Sequence, residues 1–448
     1  MQAFHAYDIR GIYNKDFNNE DAYKIGFFLP LLMKTTKILV GRDVRISSPE
    51  IYSALSNGIM DAGADVFNAG LSTTPMVYFL TAKFNFDASV MITASHNGKE
   101  YNGMKVSRTN ALPVGYANGL NELEALIKTD IHITETRGKE IDFDKHSVYE
   151  EFLHQYVSDK FKTLNITIDV SNGMAGLFVK KLMGNQPHYL FEELDGSFPN
   201  HEANPLDPKN VVDLQKAVLE NKSDIGIIFD GDADRVMFVD DKGKFISPDL
   251  MIGVLGHYFL KNNSHKTTVL QDIRTSKAVA EYLSKIGNIE MQTWKVGRAF
   301  AAIKLREIDG LWGGELAGHY YFKDFYYSDS GLLAMLLILD VISDFKAKGV
   351  RVSELIDSIK GYANSGEINF KIEQKKEAME AVREYFSTTD SPTRFLDFDG
   401  YRLEFEDWWF NIRPSNTEPY LRLIVEARTN IILNEKLSVI KKIISQFE

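Results

Sequence analysis

The chain has 448 residues, 44% of them hydrophobic, which is material for several buried cores, and length alone suggests roughly three or four domains. The absence of cysteine excludes a disulfide framework, a thiol nucleophile and a thiolate metal site, while a formal net charge of −11 argues against a general nucleic-acid binder. Any anionic ligand must therefore be held by particular Arg and Lys side chains rather than by the overall field.

The first residues, with His5, Asp8 and Arg10 among scattered apolar side chains, do not read as a secretory signal. The longest apolar run, Gly331 to Leu339, is too short to span a bilayer. The expectation is a soluble, cytoplasmic protein with no membrane partner.

In chain order the same grammar occurs three times. Each copy opens with a strand ending in an Asp-containing polar turn: Ile38 to Asp43, Ile166 to Asp169, and Thr268 to Arg274. A helical stretch follows, then a second apolar segment (Ala64 to Phe67, His188 to Leu194, Ile289 to Trp294), then strand, short polar loop and strand. The loops in that last slot are Thr93 to Asn97, Asp230 to Arg235 and Gly313 to His319. Strands alternating with helices imply α/β units.

The boundaries predicted are 1–142, 143–246, 247–362 and 363–448. The first domain ends in the polar run 134–145, a charged helix over Ser147 to Phe161 leads into the second, and Ser247-Pro248 begins the helix opening the third. After Gly361 the pattern changes. Strands at Glu367 to Ile372 and Tyr401 to Glu406 flank a charged helix, Lys375 to Phe386, and Leu433 to Phe447 is an amphipathic closing helix. The fold class is thus α/β, with three similar mixed α/β domains and a smaller α+β C-terminal domain around a central cleft.

Four loops carry chemistry-bearing residues. In Thr93-Ala94-Ser95-His96-Asn97 the buried-looking strand Ala88 to Ile92 delivers Ser95 to a loop, with Gly98 to Gly103 read as a turn. The serine suits a nucleophile or phosphate carrier, though the pentapeptide fits a plain polar strand end equally well. It is no esterase elbow, since Thr93 and Asn97 stand where that motif needs glycine. Asp230-Gly231-Asp232-Ala233-Asp234-Arg235 brings three carboxylates together between apolar strands, which calls for a hard cation such as Mg²⁺. An EF-hand is excluded because Arg235 and Asp241 occupy the positions that need Gly and Glu. Gly313-Gly314-Glu315-Leu316-Ala317-Gly318-His319 offers Glu315 and His319 for hydroxyl contacts or proton transfer, and a Gly-rich hairpin with a satisfied His is as common. Finally, Arg413-Pro414-Ser415-Asn416-Thr417-Glu418-Pro419-Tyr420-Leu421-Arg422 sets small donors between two arginines, as a phosphate clamp does.

With all four loops present in order, the chain resembles the α-D-phosphohexomutase family from end to end. Glu-Leu-Ala-Gly-His and Arg-Pro-Ser-Asn-Thr-Glu-Pro are most similar to the bacterial phosphomannomutase/phosphoglucomutase group. The resemblance implies that Ser95 is carried as phosphoserine and that Asp230, Asp232 and Asp234 hold Mg²⁺ with one of its phosphate oxygens. It implies that Glu315 grips sugar hydroxyls, that Arg413, Ser415, Asn416, Thr417 and Arg422 hold the non-reacting phosphate, and that Lys105 and His319 are the candidates for proton transfer. Matching positions also nominate Tyr7, Arg10, Arg42 and Arg235, with Arg274 and Arg298 as further sugar or phosphate contacts. Gly98 replaces the usual Pro, Ala317 the frequent Ser, and Arg298 the frequent His; the last two bear on sugar preference.

The function expected is interconversion of hexose 1-phosphate and hexose 6-phosphate, of mannose and/or glucose, through a 1,6-bisphosphate that also serves as activator. A phosphoglucosamine mutase and a catalytically silent sugar-phosphate-binding protein are the alternatives. The partner is a small phosphosugar, and the sequence leaves monomer and dimer equally open.

Overall fold

The computed structural model describes residues 3–133, 135–415 and 419–447. Its strands fall into four sheets. In the first three, one core arrangement recurs: the two strands that open each repeat run parallel to the third, and the strand after the functional loop closes the sheet antiparallel. In the first sheet Lys37–Arg42 lies between Asp65–Leu71 and Ala88–Ile92, and Tyr101–Arg108 returns antiparallel beside Ala88–Ile92. The second repeats this with Ile166–Asp169, His188–Leu190, Ile225–Phe229 and Val236–Asp240. The third repeats it with Thr267–Asp272, Ile289–Trp294, Trp312–Gly314 and Tyr320–Phe322. The equivalence explains why the functional loops stand at matching corners: each is the tight connection between a buried parallel strand and its antiparallel successor.

Such strands are apolar on both faces because layers cover them on both sides. Ala88–Ile92, Ile225–Phe229 and Val236–Asp240 are buried at every position. The apolar run noted in the sequence becomes the helix Gly331–Lys346, buried from Gly331 through Leu339. It packs between the helix Leu250–Phe259 of the third domain and the second domain's turn Asp159–Thr163. Each buried leucine in it contributes roughly 1.5–3 kcal/mol. Its first residue reaches the acidic loop, where Gly331 N–H donates to Ala233 O at 3.1 Å, and a Cβ there would come within 2.9 Å of that carbonyl. The core helix thus sets the height of the acidic loop. Among the described residues no helix is long and apolar enough to cross a membrane.

The fourth sheet runs Ala363–Asn364, Leu421–Ala427, Trp408–Pro414, Tyr401–Glu404, Arg394–Leu396, with Ile368–Phe370 also paired to Leu421–Ala427. The helices Lys375–Thr389 and Asn430–Ile444 complete its core with the sheet.

Several expected bounds shift. Tyr101 to Gly103 is strand, not turn, because it pairs with Ile9–Ile12, a partner far away in sequence. The helix expected over Ser147 to Phe161 is His146–His154, and a separate 3-10 turn, Asp159–Thr163, begins where Ser158 caps Lys160 N–H. The third domain's helix starts at Leu250, since Ser247 bonds Asp249 instead of entering it. The closing helix starts earlier than Leu433, at Asn430, because Thr429 caps it.

The fourth domain grips the third at the segment 272–276. Arg402, buried and 3.8 Å over the Trp409 ring, donates to Ile273 O and Thr275 O, both at 2.7 Å. Glu426 accepts from Ser276 Oγ and Asn364 Nδ2 at 2.7 Å and from Trp409 Nε1 at 2.8 Å. Burial, then the nearby negative Asp249, pushes Glu426 up to about 7 from 4.5. The folded state therefore holds a proton that the unfolded chain releases between pH 4.5 and about 7, so stability from this group is full below that window and falls as pH rises through it. Glu426→Gln removes the titration. Denaturant unfolding across pH should show the wild type losing on the order of 3 kcal/mol relative to the variant over this window; parallel pH profiles would contradict the assignment.

Candidate active site

Three of the loops meet at one point. Ser95 leaves its strand with φ of 52°, in the left-handed region that a β-carbon disfavours, which turns the side chain out of the sheet's alternation. Its Oγ donates to Asp230 Oδ2 at 2.8 Å. The hydroxyl is buried, because the second domain's loop closes over it: a Cβ on Gly231 would lie 2.5 Å from Ser95 O. The loop owes its shape to Arg45. This fully buried guanidinium, paired with Asp43, donates to the carbonyls of Ser95, Asn97, Gly98 and Tyr101 at 2.6–3.1 Å. His96 is half-buried, and burial together with Arg235, Arg10 and Lys105 pushes its pKa well below the usual value, so it is neutral.

Asp230, Asp232 and Asp234 are each at most 1% exposed and place ligand oxygens within 4.8 Å of one another. Ala233 between the last two has φ of 61°, a second strained residue at a functional loop. Lys105, on the strand after Ser95, donates to Asp232 Oδ2 at 2.6 Å and Asp234 Oδ2 at 2.5 Å. Thr74 Oγ1 adds a bond to Asp232 Oδ2 at 2.5 Å. Burial opposes the Lys105 charge, yet the two carboxylates hold its pKa above the usual lysine value. Burial, then Asp234 and Asp232, raises Asp230 well above the carboxylate range. Arg10 stands beside the serine loop, donating to Asn97 Oδ1 at 2.7 Å and pairing with Asp8.

The third domain adds His319 at 7% exposure. Its Nε2 lies 3.0 Å from Arg235 Nε, which can only donate, so Nε2 is the unprotonated acceptor. Nδ1 then carries the proton, donated to Asp329 Oδ2 at 2.6 Å. Arg298 donates to Asp329 Oδ1 at 3.1 Å and lies 3.5 Å over the Tyr78 ring. Glu315 accepts from Tyr321 OH at 2.6 Å and from Gly297 N–H at 3.0 Å. The Val296-Gly297 segment is gripped from three domains, since Tyr7 OH donates to Val296 O at 3.0 Å and Val296 N–H donates to Asp399 at 2.8 Å.

The fourth loop brings in more cations. Arg413 is 3% exposed, with Nε and Nη1 buried and without a hydrogen-bond partner among the described residues; Asp399 lies 3.8 Å from Nη1. Arg274 is paired with Asp272 at 2.7 Å, and Arg422 lies 3.1 Å from Glu367. Ser415 N–H donates to Tyr420 O at 2.8 Å, while Asn416 and Thr417 lie outside the described residues. Arg42 lies 4.8 Å over the Tyr52 ring, with Nη1 buried and without a hydrogen-bond partner among the described residues.

Four domain families match in succession, described as phosphoglucomutase/phosphomannomutase alpha/beta/alpha domains I, II and III over residues 1–132, 147–243 and 247–362, and its C-terminal domain over 367–435. A phosphomannomutase of Vibrio cholerae is 36% identical, covering 100% of this chain and 99% of that protein. A phosphomannomutase of Escherichia coli K12 is 35% identical over 97% of each. A crystal structure of a phosphoglucomutase/phosphomannomutase family protein from Burkholderia thailandensis superimposes with a TM-score of 0.87 at 26% identity, covering 99% of this chain and 97% of that one. The chain belongs to the α-D-phosphohexomutase family. It is a phosphohexomutase, an intramolecular phosphotransferase of the isomerase class.

In this phosphohexomutase the residues that the sequence did not disclose are Arg45, Thr74 and Asp329. Asp329 lies ten positions after His319 on a strand that pairs with Tyr320–Phe322, so hairpin register was the available signal. The acidic loop fits a divalent metal on its own chemistry. Lys105 and Thr74 occupy the Oδ2 atoms of Asp232 and Asp234, while Oδ1 of each is buried with no hydrogen-bond partner, a cost that a cation bound there removes. A divalent ion should therefore raise the melting temperature of the wild type, by the equivalent of about 2.7 kcal/mol at a concentration 100-fold above its Kd. Asp232→Asn should lose most of that shift; equal shifts in both proteins would remove the loop as a metal site.

Proposed function

We propose that this phosphohexomutase interconverts the 1- and 6-phosphates of mannose and/or glucose, with Ser95 as the phosphate carrier. The observation that supports it most is the Ser95 hydroxyl on Asp230 of the buried acidic triplet, at 2.8 Å. Mg²⁺ held by Asp230, Asp232 and Asp234 would supply positive charge to the transferring phosphoryl group. In the first transfer a sugar hydroxyl oxygen bonds to phosphorus of phospho-Ser95, the bond from phosphorus to Ser95 Oγ breaks, and the hydroxyl proton leaves. His319 is suited to take that proton, since its Nε2 is the unprotonated nitrogen and Asp329 fixes the ring from behind. Lys105, Arg10 and Arg235 offset charge on the phosphoryl oxygens. The 1,6-bisphosphate then turns around and returns its other phosphate to Ser95, and added bisphosphate acts as an activator by rephosphorylating the serine.

Glu315 grips the sugar hydroxyls, and Tyr7, bonded to Val296 next to the Gly297 N–H that Glu315 accepts, is a further substrate contact. Arg413, Ser415, Asn416, Thr417 and Arg422, joined by Arg274, take the phosphate that is not being transferred, a reading that the unpartnered Nε and Nη1 of Arg413 favour. Arg298 and Arg42 are further sugar or phosphate contacts; Arg298 also supports His319 through Asp329, and Nη1 of Arg42 is buried without a hydrogen-bond partner among the described residues. The proposed units are 1–142, 143–246, 247–362 and 363–448, and the protein works in the cytoplasm.

A coupled assay with a panel of hexose phosphates tests the function. Mannose 1-phosphate or glucose 1-phosphate should be the preferred substrate, and Ser95→Ala should abolish turnover; faster reaction with glucosamine 6-phosphate would reassign the sugar, and near-normal turnover by Ser95→Ala would remove the carrier. Asp329→Asn should lower kcat by about 10- to 100-fold with little change in KM, because it disturbs the orientation of His319 rather than binding. An unchanged kcat would separate His319 from proton transfer.

A further inference from the structure

The clamp arginines are already in contact with an anion that belongs to the protein. Glu367 places Oε1 3.1 Å from Arg422 Nη1 and Oε2 3.7 Å from Arg274 Nη1, so a single carboxylate is shared between an arginine of the fourth domain and one of the third. The sheet enforces this. Asn369 stands opposite Arg422 in the pairing of Ile368–Phe370 with Leu421–Ala427, and Glu367 immediately precedes that strand. The two partners differ in freedom: the Glu367 side chain is 25% exposed, against 6% for Arg274, which Asp272 also holds at 2.7 Å. The carboxylate can swing into water, while Arg274 cannot.

A phosphate and a carboxylate cannot share the same guanidinium faces without repulsion between them. We propose that Glu367 is a built-in competitor for the phosphate clamp, occupying the arginines between substrates and displaced when a sugar phosphate arrives. This rests on the clamp reading above and adds a kinetic purpose. The 1,6-bisphosphate must release one phosphate from the clamp before presenting the other. A carboxylate that refills the arginine faces as the phosphate departs replaces part of the negative charge that leaves, and so speeds release. Glu367 is thus a residue that trades clamp affinity for turn-around.

Titration calorimetry with inorganic phosphate tests this on the full-length protein. Glu367→Gln, which keeps size and removes charge, should bind phosphate about threefold to tenfold more tightly than the wild type, and Glu367→Ala should move in the same direction. In an Arg422→Ala background the gain from Glu367→Gln should shrink to nothing, which a merely structural role for Glu367 would not produce. In turnover, Glu367→Gln should lower KM and kcat together. Equal or weaker phosphate binding by both Glu367 variants, or an undiminished gain in the Arg422→Ala background, would overturn the proposal while leaving the clamp intact. If Arg422→Ala alone left phosphate binding unchanged, the clamp reading itself would fall, and the proposal with it.

Discussion

The site is organised by the cost of burying three carboxylates side by side. Asp230, Asp232 and Asp234 are withdrawn from water, and their mutual repulsion would not be tolerated without counter-charge. That charge arrives from separate parts of the chain: Lys105 from the first domain and Arg235 from the loop itself, whose guanidinium the third domain's His319 holds in turn. No one domain can satisfy the acidic loop alone. The triplet therefore ties the first domain to the second as much as it prepares a site for a cation, the third joins through His319 on Arg235, and the same arrangement puts the Ser95 hydroxyl on Asp230.

Two further devices keep the loops in register. Arg45 gathers four carbonyls of the serine loop and lies 5.0 Å from the Phe198 ring, so it also joins the first domain to the second. The Val296-Gly297 segment is held by Tyr7, Glu315 and Asp399, one from each of the first, third and fourth domains. Movement of the fourth domain is therefore felt at the sugar loop through Asp399, which also faces Arg413 at 3.8 Å. The residues proposed to take the substrate's phosphate and its sugar are parts of one connected network.

Much of this was legible in the sequence, and for a definable reason. The repeated pattern of apolar strand, polar loop and apolar strand marks the corners of each sheet, and there chemistry-bearing side chains are crowded into a few consecutive positions. Ser95, the Asp triplet, Glu315 and Arg413 stand out in that way. Arg45, Thr74, Asp329 and Glu367 do not, because their roles arise from partners distant in sequence: Asp329 becomes important only when hairpin register sets it near His319. Arg298 adds a feature that the sequence could not show: its guanidinium lies over Tyr78 and on Asp329, a placement that only the docking of the first and third domains determines.

The central claim is that Ser95 carries the phosphate that moves. The most direct measurement is a single-turnover experiment in which the protein, phosphorylated with labelled phosphate, is mixed with unlabelled hexose 1-phosphate and the Ser95 peptide and the sugar products are followed together. The account predicts that label leaves the Ser95 peptide at the rate at which it appears in hexose bisphosphate and monophosphate. Label retained on Ser95 through catalytic turnover, or found on a different peptide, would contradict it.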